Sequence, residues 1–539
     1  MNNQRRQFLK HTALTAALLA TYPALLQANM PHKASKASAD FQADVELELT
    51  QEAMEIAIFS GSKTSVWKVS GKVLKGAADA VKNNPESYLA PTLHLHKGQK
   101  VRIYLKNKLP AQSILHWHGL HVPADMDGNP MYAINTGESF VYEFEVRNRA
   151  GTYWYHAHTH GVTARQVYSG LAGLLIVSDP EEQALNLPRG EFDIGLAIQD
   201  RSFDAQNQLH YRPNMMQKMQ GFLGDQIFIN GRPDFVLNVA TRAYRLRLLN
   251  GSNSRLYKLA WDDGSVINVI GVDGGLLEHP VQVPYLMLAP GERRELWVDF
   301  SDKALNTELT LRSKPFEASS PGGMMGGMGN MGGMGRRGMM GMGMMGGGMG
   351  ASAKLPLGGD YPLLKIRVNK KSAGSGPLPK QLTAIKPLKL TDAANSGQAR
   401  QFSLSMQHMS ALLNGRSYKM DDIRPDEIMP LNTVQLIEFD NGYEGGHGMG
   451  MHMAMPHPMH LHGEQFQIVK REVKESAKSD YASVANGLID SGWHDTVLVM
   501  PGEKITVLKP FNDYAGIFMV HCHNLEHEDM GMMRDLLVQ

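Results

Sequence analysis

The stretch HCHNLEHEDMGMM, residues 521–533, holds the only cysteine of a 539-residue chain, Cys522, between His521 and His523. A single thiol excludes an internal disulfide and a thiolate-rich zinc site. On a strand, residues i and i+2 point one way and i+1 the other. If His521 and His523 face one site, Cys522 therefore faces a second.

Histidine makes up about 4% of the chain, so one His-x-His pair is expected by chance and a lone pair carries no information. Here the pairs come in company: HWHG (116–119), HAHTHG (156–161), HPMHLHG (457–463) and HCH (521–523). Alternation lets His116, His118, His156, His158, His460, His462, His521 and His523 aim eight ring nitrogens into one cleft. Imidazole suits copper, zinc, iron and nickel alike, so these residues alone leave the metal open. The site on the other side of Cys522 has His457, His527 and Met532 available. Two histidines, a thiolate and a weak axial methionine form the donor set of a blue-copper electron-transfer centre. Met530 and Met533 stand close by, but spacing favours Met532. The pair His94/His96 in LHLHKGQKVRIYL reads differently, as two outward polar positions of an alternating strand.

The elements that must carry these residues are strands. In SFVYEFEV, Phe140, Tyr142, Phe144 and Val146 share one face, a period of two. Similar runs separated by Gly/Pro turns predict an all-β chain of consecutive β-sandwiches. The PGE triplets at 290–292 and 501–503, each between two strands, hint at an internal repeat. Boundaries fall near 180 and near 370–395, giving segments 41–180, 181–370 and 397–539, with a Pro/Lys/Gly-rich linker at 371–396.

Two segments fall outside this pattern. Residues 1–28 combine Arg5-Arg6, an apolar run and a small residue at Ala28, which predicts a twin-arginine export signal cleaved near Ala28. The expectation is a periplasmic protein, carried by the twin-arginine translocase and not embedded in the membrane when mature. Residues 322–350 contain 15 Gly and 11 Met: Met324, Met325, Met328, Met331, Met334, Met339, Met340, Met342, Met344, Met345 and Met349. Glycine at that density opposes helix and strand, so a loop is expected. With 54 basic and 53 acidic residues, no global field attracts nucleic acid.

The four histidine motifs, in order and spacing, resemble those of the multicopper oxidases, and the resemblance runs from about residue 45 to the C-terminus. It implies three cupredoxin-like Greek-key sandwiches with a copper cluster between the first and third. It further implies four copper ions. His457, Cys522 and His527, with Met532 axial, match the type 1 ligands, and His116 and His460 the type 2 ligands. His118, His156, His158, His462, His521 and His523 match the type 3 pair. His160 matches no ligand position and is expected to hydrogen-bond to one that does; His121, His447 and His452 are unassigned. The implied reaction couples one-electron oxidations to the four-electron reduction of dioxygen to water. Asp127 and Glu528 match the family's proton-donating carboxylates, although Asp127 also suits a turn in DMDGNP.

Thioethers select Cu(I). The loop 322–350 and the patch HGMGMHMAMPHPMH (447–460), which runs into His457, resemble the methionine-rich elements of copper-tolerance oxidases. The expected enzyme is a monomeric cuprous oxidase that also accepts phenols. A laccase for phenols and aromatic amines is the first alternative, and a copper-binding protein without turnover is the second, since some relatives of this fold have lost their ligands and serve cell division.

Overall fold

The computed structural model describes residues 36–317, 355–407, 410–442 and 455–539. Residues 1–28, where an export signal is expected, the segment 322–350 with its eleven methionines, and His447 and His452 lie outside the described residues. The chain is all-β. Its described strands form six sheets, arranged as three successive pairs.

In the first pair, a four-stranded sheet runs in the order Thr64–Lys75, Val45–Ile56, Lys100–Asn107, Ser139–Glu145. The facing sheet runs Val81–Lys82, Thr92–His96, Ala172–Ser178, Gly151–Ala157, Leu115–His116. Phe140, Tyr142, Phe144 and Val146 all enter the core between them, as the period of two requires. His94 and His96 lie on Thr92–His96 with buried Leu93 and Leu95 between and beside them, the alternation read from sequence. A seven-stranded and a five-stranded sheet form the middle pair, around Leu246, Leu248, Val269 and Leu296. In the third pair, one sheet orders Ile428–Met429, Met533–Val538, Gly516–Cys522, His457–Leu461, Thr496–Val499.

The PGE triplets are one device used twice. Gly291 and Gly502 both turn at positive φ, and their N–H groups donate to Asn250 and Asn441 at 3.0 and 2.8 Å. Each following glutamate, Glu292 or Glu503, accepts the N–H three residues before it at 2.7 Å. The turn thereby closes its own backbone polar groups.

Charge is buried where the first two pairs meet. Glu295 accepts from Arg245 Nε at 2.8 Å, from Arg247 at 2.8 Å and from Thr152 of the first pair at 2.7 Å. Burial alone would raise the Glu295 carboxyl, but the two guanidinium groups outweigh it and hold the value at about 2. A depressed folded value means this stabilisation is complete above the ordinary glutamate pKa, roughly 4.3, and is lost as pH falls toward 2. Glu295→Gln leaves two buried cations short of a partner, a cost of about 3–5 kcal/mol at neutral pH. The unfolding midpoint of the variant should drop at pH 7, and its difference from the native protein should shrink between pH 4.5 and pH 2.

Candidate metal centre

Each histidine pair straddles the end of a strand. His116, His156, His460 and His521 belong to the strands Leu115–His116, Gly151–Ala157, His457–Leu461 and Gly516–Cys522, whereas His118, His158, His462 and His523 lie just past them. This differs from the strand-interior alternation expected from sequence. A strand interior packs against its own sheet pair, and only the end opens into the cleft between the first and third pairs. Gly119 then turns the chain away at φ +88; a Cβ there would sit 2.4 Å from Asp495 Oδ2, so glycine is required.

Register sets the rest. His116 pairs with His156 across one ladder, and His460 with His521 across another. Met459 pairs with Cys522 and therefore takes the opposite face, in the third hydrophobic core. Cys522 is thus separated from its flanking histidines as the sequence requires.

The structure brings all eight cluster histidines together, fully buried. Nε2 of His116 lies 3.4 Å from Nε2 of His460, and His118 Nδ1 lies 3.4 Å from His156 Nε2. His521 Nε2 lies 3.1 Å from His462 Nε2 and 3.3 Å from His158 Nε2. His523 sits with its ring centroid 4.9 Å from that of His118 and 5.2 Å from that of His156, and neither of its nitrogens has a hydrogen-bond partner. Burial, reinforced by neighbouring imidazoles, pushes His118, His156, His158, His460, His462 and His523 well below the usual histidine value. Neutral rings with converging lone pairs are what metal ligation demands.

The second group is smaller. Cys522 Sγ lies 3.5 Å from His457 Nδ1 and 3.7 Å from His527 Nδ1, and the two nitrogens are 3.3 Å apart. The centre of that triangle is about 2 Å from each corner, a metal–nitrogen bond length. Burial pushes the Cys522 thiol up and holds His527 at about 4. Without a cation the thiol keeps its proton, so this pocket favours a thiolate only with a metal present. Met532 is buried in the same core as Cys522, and its N–H and C=O bond to His527 O and Cys522 N at 2.9 and 3.0 Å. Met533 instead begins a strand and joins a separate cluster, and Met530 packs at the core's margin. The donors present fit copper in both groups.

The two carboxylates flank the cluster. Asp127 Oδ2 accepts from His462 Nδ1 at 2.6 Å, and its backbone carbonyl accepts from His116 Nδ1 at 2.6 Å. The other oxygen, Oδ1, is buried without a hydrogen-bond partner. Glu528 Oε2 lies 3.2 Å from His521 Nδ1 and Oε1 lies 3.9 Å from His158 Nε2. Burial opposes its ionisation, but its proximity to His521 and His158 and its hydrogen bonds from His521 and Thr163 hold it at about 2. His160 departs from expectation: it is exposed and edge-on to Tyr418, 5.1 Å between centroids, because the chain has already left the cleft. His121 is buried outside the cluster, 3.3 Å from Asp513.

Sequence reading missed Asp495. Its Oδ1 lies 3.0 Å from His118 Nε2 and its backbone carbonyl accepts from His460 Nδ1 at 2.7 Å. Arg293, from the middle pair, donates to Asp495 Oδ1 at 2.7 Å and also contacts Asp273. The available signal was a charged residue opening the otherwise apolar strand Thr496–Val499.

Family models described as multicopper oxidase match residues 62–182 and 385–539. The chain is 30% identical over 475 residues to multicopper oxidase mco of Staphylococcus haemolyticus, covering 87% of each. It superposes on the crystal structure of McoA multicopper oxidase from Aquifex aeolicus with a TM-score of 0.72 and 31% identity, covering 93% of this chain and 97% of that one. It is also 28% identical to cell division protein FtsP of Xenorhabdus nematophila, over 100% of this chain and 99% of that protein.

Arg293→Met leaves Asp495 buried without its cation, a loss of about 3–5 kcal/mol. A lower unfolding midpoint is expected. So is reduced metal content in the histidine cluster, whose His118 and His460 lose their anchor, with the Cys522 site still filled.

Proposed function

The chain belongs to the multicopper oxidase family, and from that premise we propose that it is a periplasmic cuprous oxidase that holds four copper ions and reduces dioxygen to water. One observation carries the reading: three consecutive residues, His521, Cys522 and His523, join a thiol-containing three-donor pocket to an eight-histidine cluster. In this reading His457, Cys522 and His527, with Met532 buried in the same core, would hold the type 1 ion. His116 and His460 would hold the type 2 ion, and the other six cluster histidines would hold the type 3 pair. Bound copper supplies one-electron redox chemistry at the first site and four-electron dioxygen reduction at the second.

The protein's own residues do the rest. The strand Gly516–Cys522 carries His521 and Cys522 side by side, so one peptide unit separates a donor of one site from a donor of the other. Asp127 orients His462 and His116 and keeps Oδ1 without a hydrogen bond, 3.4 Å from His116 Nδ1, a position from which a proton can be passed into the cluster. Glu528 stands between His521 and His158 in the same capacity.

Support for Cu(I) as reductant comes from the eleven methionines of 322–350 and the patch 447–460 leading into His457. Export through the twin-arginine route, inferred from residues 1–28, suits a cofactor-bearing periplasmic protein. Against a scaffold role of the cell-division kind stands the complete donor set, every member buried and all but His523 and Met532 within 4.8 Å of fellow donors. A phenol-directed laccase is the second reading.

Three measurements bear on this. Copper counting with visible and spin-resonance spectra should give four ions per chain with a blue band, and Cys522→Ser should abolish the band and dioxygen reduction together. Asp127→Asn should keep the blue band while slowing dioxygen turnover by about 10²-fold or more; loss of colour would make the residue structural. Deletion of 322–350 should depress Cu(I) oxidation more than oxidation of a small phenol, and equal loss would favour the laccase reading.

A further inference from the structure

The two segments that join the middle sheet pair to its neighbours meet at one edge of it. Residues 370–376, which leave the strand Tyr361–Lys370, are strapped to the turn before the strand Ala243–Asn250. Thr241 N–H donates to the carbonyl of Lys370 at 3.0 Å, Ser372 N–H to Thr241 Oγ1 at 3.1 Å, and Ala243 N–H to Ser375 Oγ at 2.6 Å. From the other side comes the segment after the short helix Pro180–Ala184. Arg189 folds back to close that helix, donating to the carbonyls of Glu182, Gln183 and Leu185 at 2.5 to 3.1 Å. Leu185 and Leu187 of this segment share an apolar cluster with Leu378 and Leu382 of the other.

Arg242 stands in this junction, its guanidinium 3.6 Å from the centroid of the Phe192 ring. Its Nε is buried without a hydrogen-bond partner, and the group makes no hydrogen bond or ion pair with any described residue. Its neighbours differ: Arg245 and Arg247, on the strand that follows, are saturated by Glu182, Asp193 and Glu295. A fork of five donors, fixed by stacking and offered no acceptor from its own chain, is suited to one from outside. Beside it opens a cavity of about 580 Å³, whose wall carries Arg189 and Arg242 and no Asp or Glu. The cavity of about 930 Å³ beside His94, by comparison, mixes Asp79, Glu182, Glu191 and Asp193 with its cations. Neutral donors complete the wall. Asn186 Nδ2 approaches Gly376 so closely that a Cβ there would lie 2.2 Å from it. The Ser375 oxygen already accepts from Ala243, which leaves its own proton to point elsewhere. The N–H groups of Gly374, Ser375 and Gly376 donate to no described group.

We propose that this cavity is a binding site for a small oxyanion, a phosphate or a carboxylate, held by the Arg242 fork and closed by residues 374–376. The fork meets such an anion through two parallel N–H···O bonds, a geometry that lysine does not reproduce. Backbone N–H groups of the Gly/Ser-rich segment and the Ser375 hydroxyl add further donors around it. The bound anion ties the segment after the first sheet pair to the segment before the third. Occupancy therefore stiffens the junction through which the middle pair braces the other two. No residue of the cavity wall is a donor of either metal group, so the site is distinct from the oxidase reading and does not depend on it.

The test uses the copper-loaded full-length protein at fixed ionic strength, with inorganic phosphate and malonate as probes. Calorimetric titration should show one site per chain, and the unfolding midpoint should rise with the anion that binds. Arg242→Gln should weaken binding about tenfold or more and remove the rise in midpoint. Arg242→Lys keeps the charge but not the fork, should weaken binding about threefold or more, and decides the question if the glutamine variant fails to fold. Lys380→Gln removes a cation of the same segment that lies outside the cavity wall, and its affinity should stay within about twofold of native. Bound anion should also slow tryptic cleavage after Lys371 about fivefold or more in the native protein and not in Arg242→Gln. Tighter binding of phosphate assigns a phosphate source and tighter binding of malonate a carboxylate; either supports the site. No binding of either anion at millimolar concentration, unchanged affinity in the Arg242 variants, equal weakening by Lys380→Gln, or binding without protection after Lys371 would overturn the proposal.

Discussion

The structure is organised around one unfavourable juxtaposition. Eight imidazoles are taken out of water and aimed at one another, with nitrogens 3.1 to 3.4 Å apart within the cluster, and a thiol is buried against two more. A buried polar atom without a partner costs roughly 1–3 kcal/mol, and His523 has two such atoms. Acceptors converging on acceptors are not satisfied by swapping tautomers, because Nδ1 of His116, His460 and His462 already donates to an oxygen outside the cluster. A cation relieves the whole set at once, so metal binding and completion of the cleft are one process. The fold's task is to supply enough surrounding packing to hold the donors in place.

That packing explains the middle sheet pair, which contributes no donor to either group. It acts through contacts one step removed. Arg293 anchors Asp495, which in turn meets His118 from the first pair and holds His460 from the third. Asn253 and Ser254 hold Glu526, and Met219 covers His527. Glu295 joins Arg245 and Arg247 to Thr152 beneath the cleft. A cluster built only from the first and third pairs would open wherever they separate. The middle pair braces both sides of it.

How much of this was legible in the sequence follows from the range of each interaction. The cluster histidines and Cys522 announced themselves because local spacing and rarity carry the signal: one thiol and four clustered pairs survive any comparison with chance. Strand identity was legible too, from runs such as Phe140, Tyr142 and Phe144. Where the strands stop was not, because termination depends on which surface is left uncovered once three sheet pairs assemble; the second histidine of every pair therefore lies beyond its strand. His160 was misread for the same reason. Arg293 and the cover over His527 were invisible, and Asp495 showed only as a charge before an apolar strand, since each draws its meaning from a partner some 200 to 300 residues away.

The pleat also explains why the wiring tolerates no slippage. Side chains alternate with a period of two, so moving Gly516–Cys522 by one residue against His457–Leu461 would exchange every inward and outward position. The present register sets His521 opposite His460 and Cys522 opposite Met459. A one-residue slip would set Cys522 against His460 and turn His521 into the apolar core of Val497, Val499 and Phe518, where an imidazole finds no partner. Both faces penalise the error, one by losing donors and the other by burying a polar ring. The motif is therefore self-registering: the alternation that separates the two sites also selects the only strand pairing in which both can form.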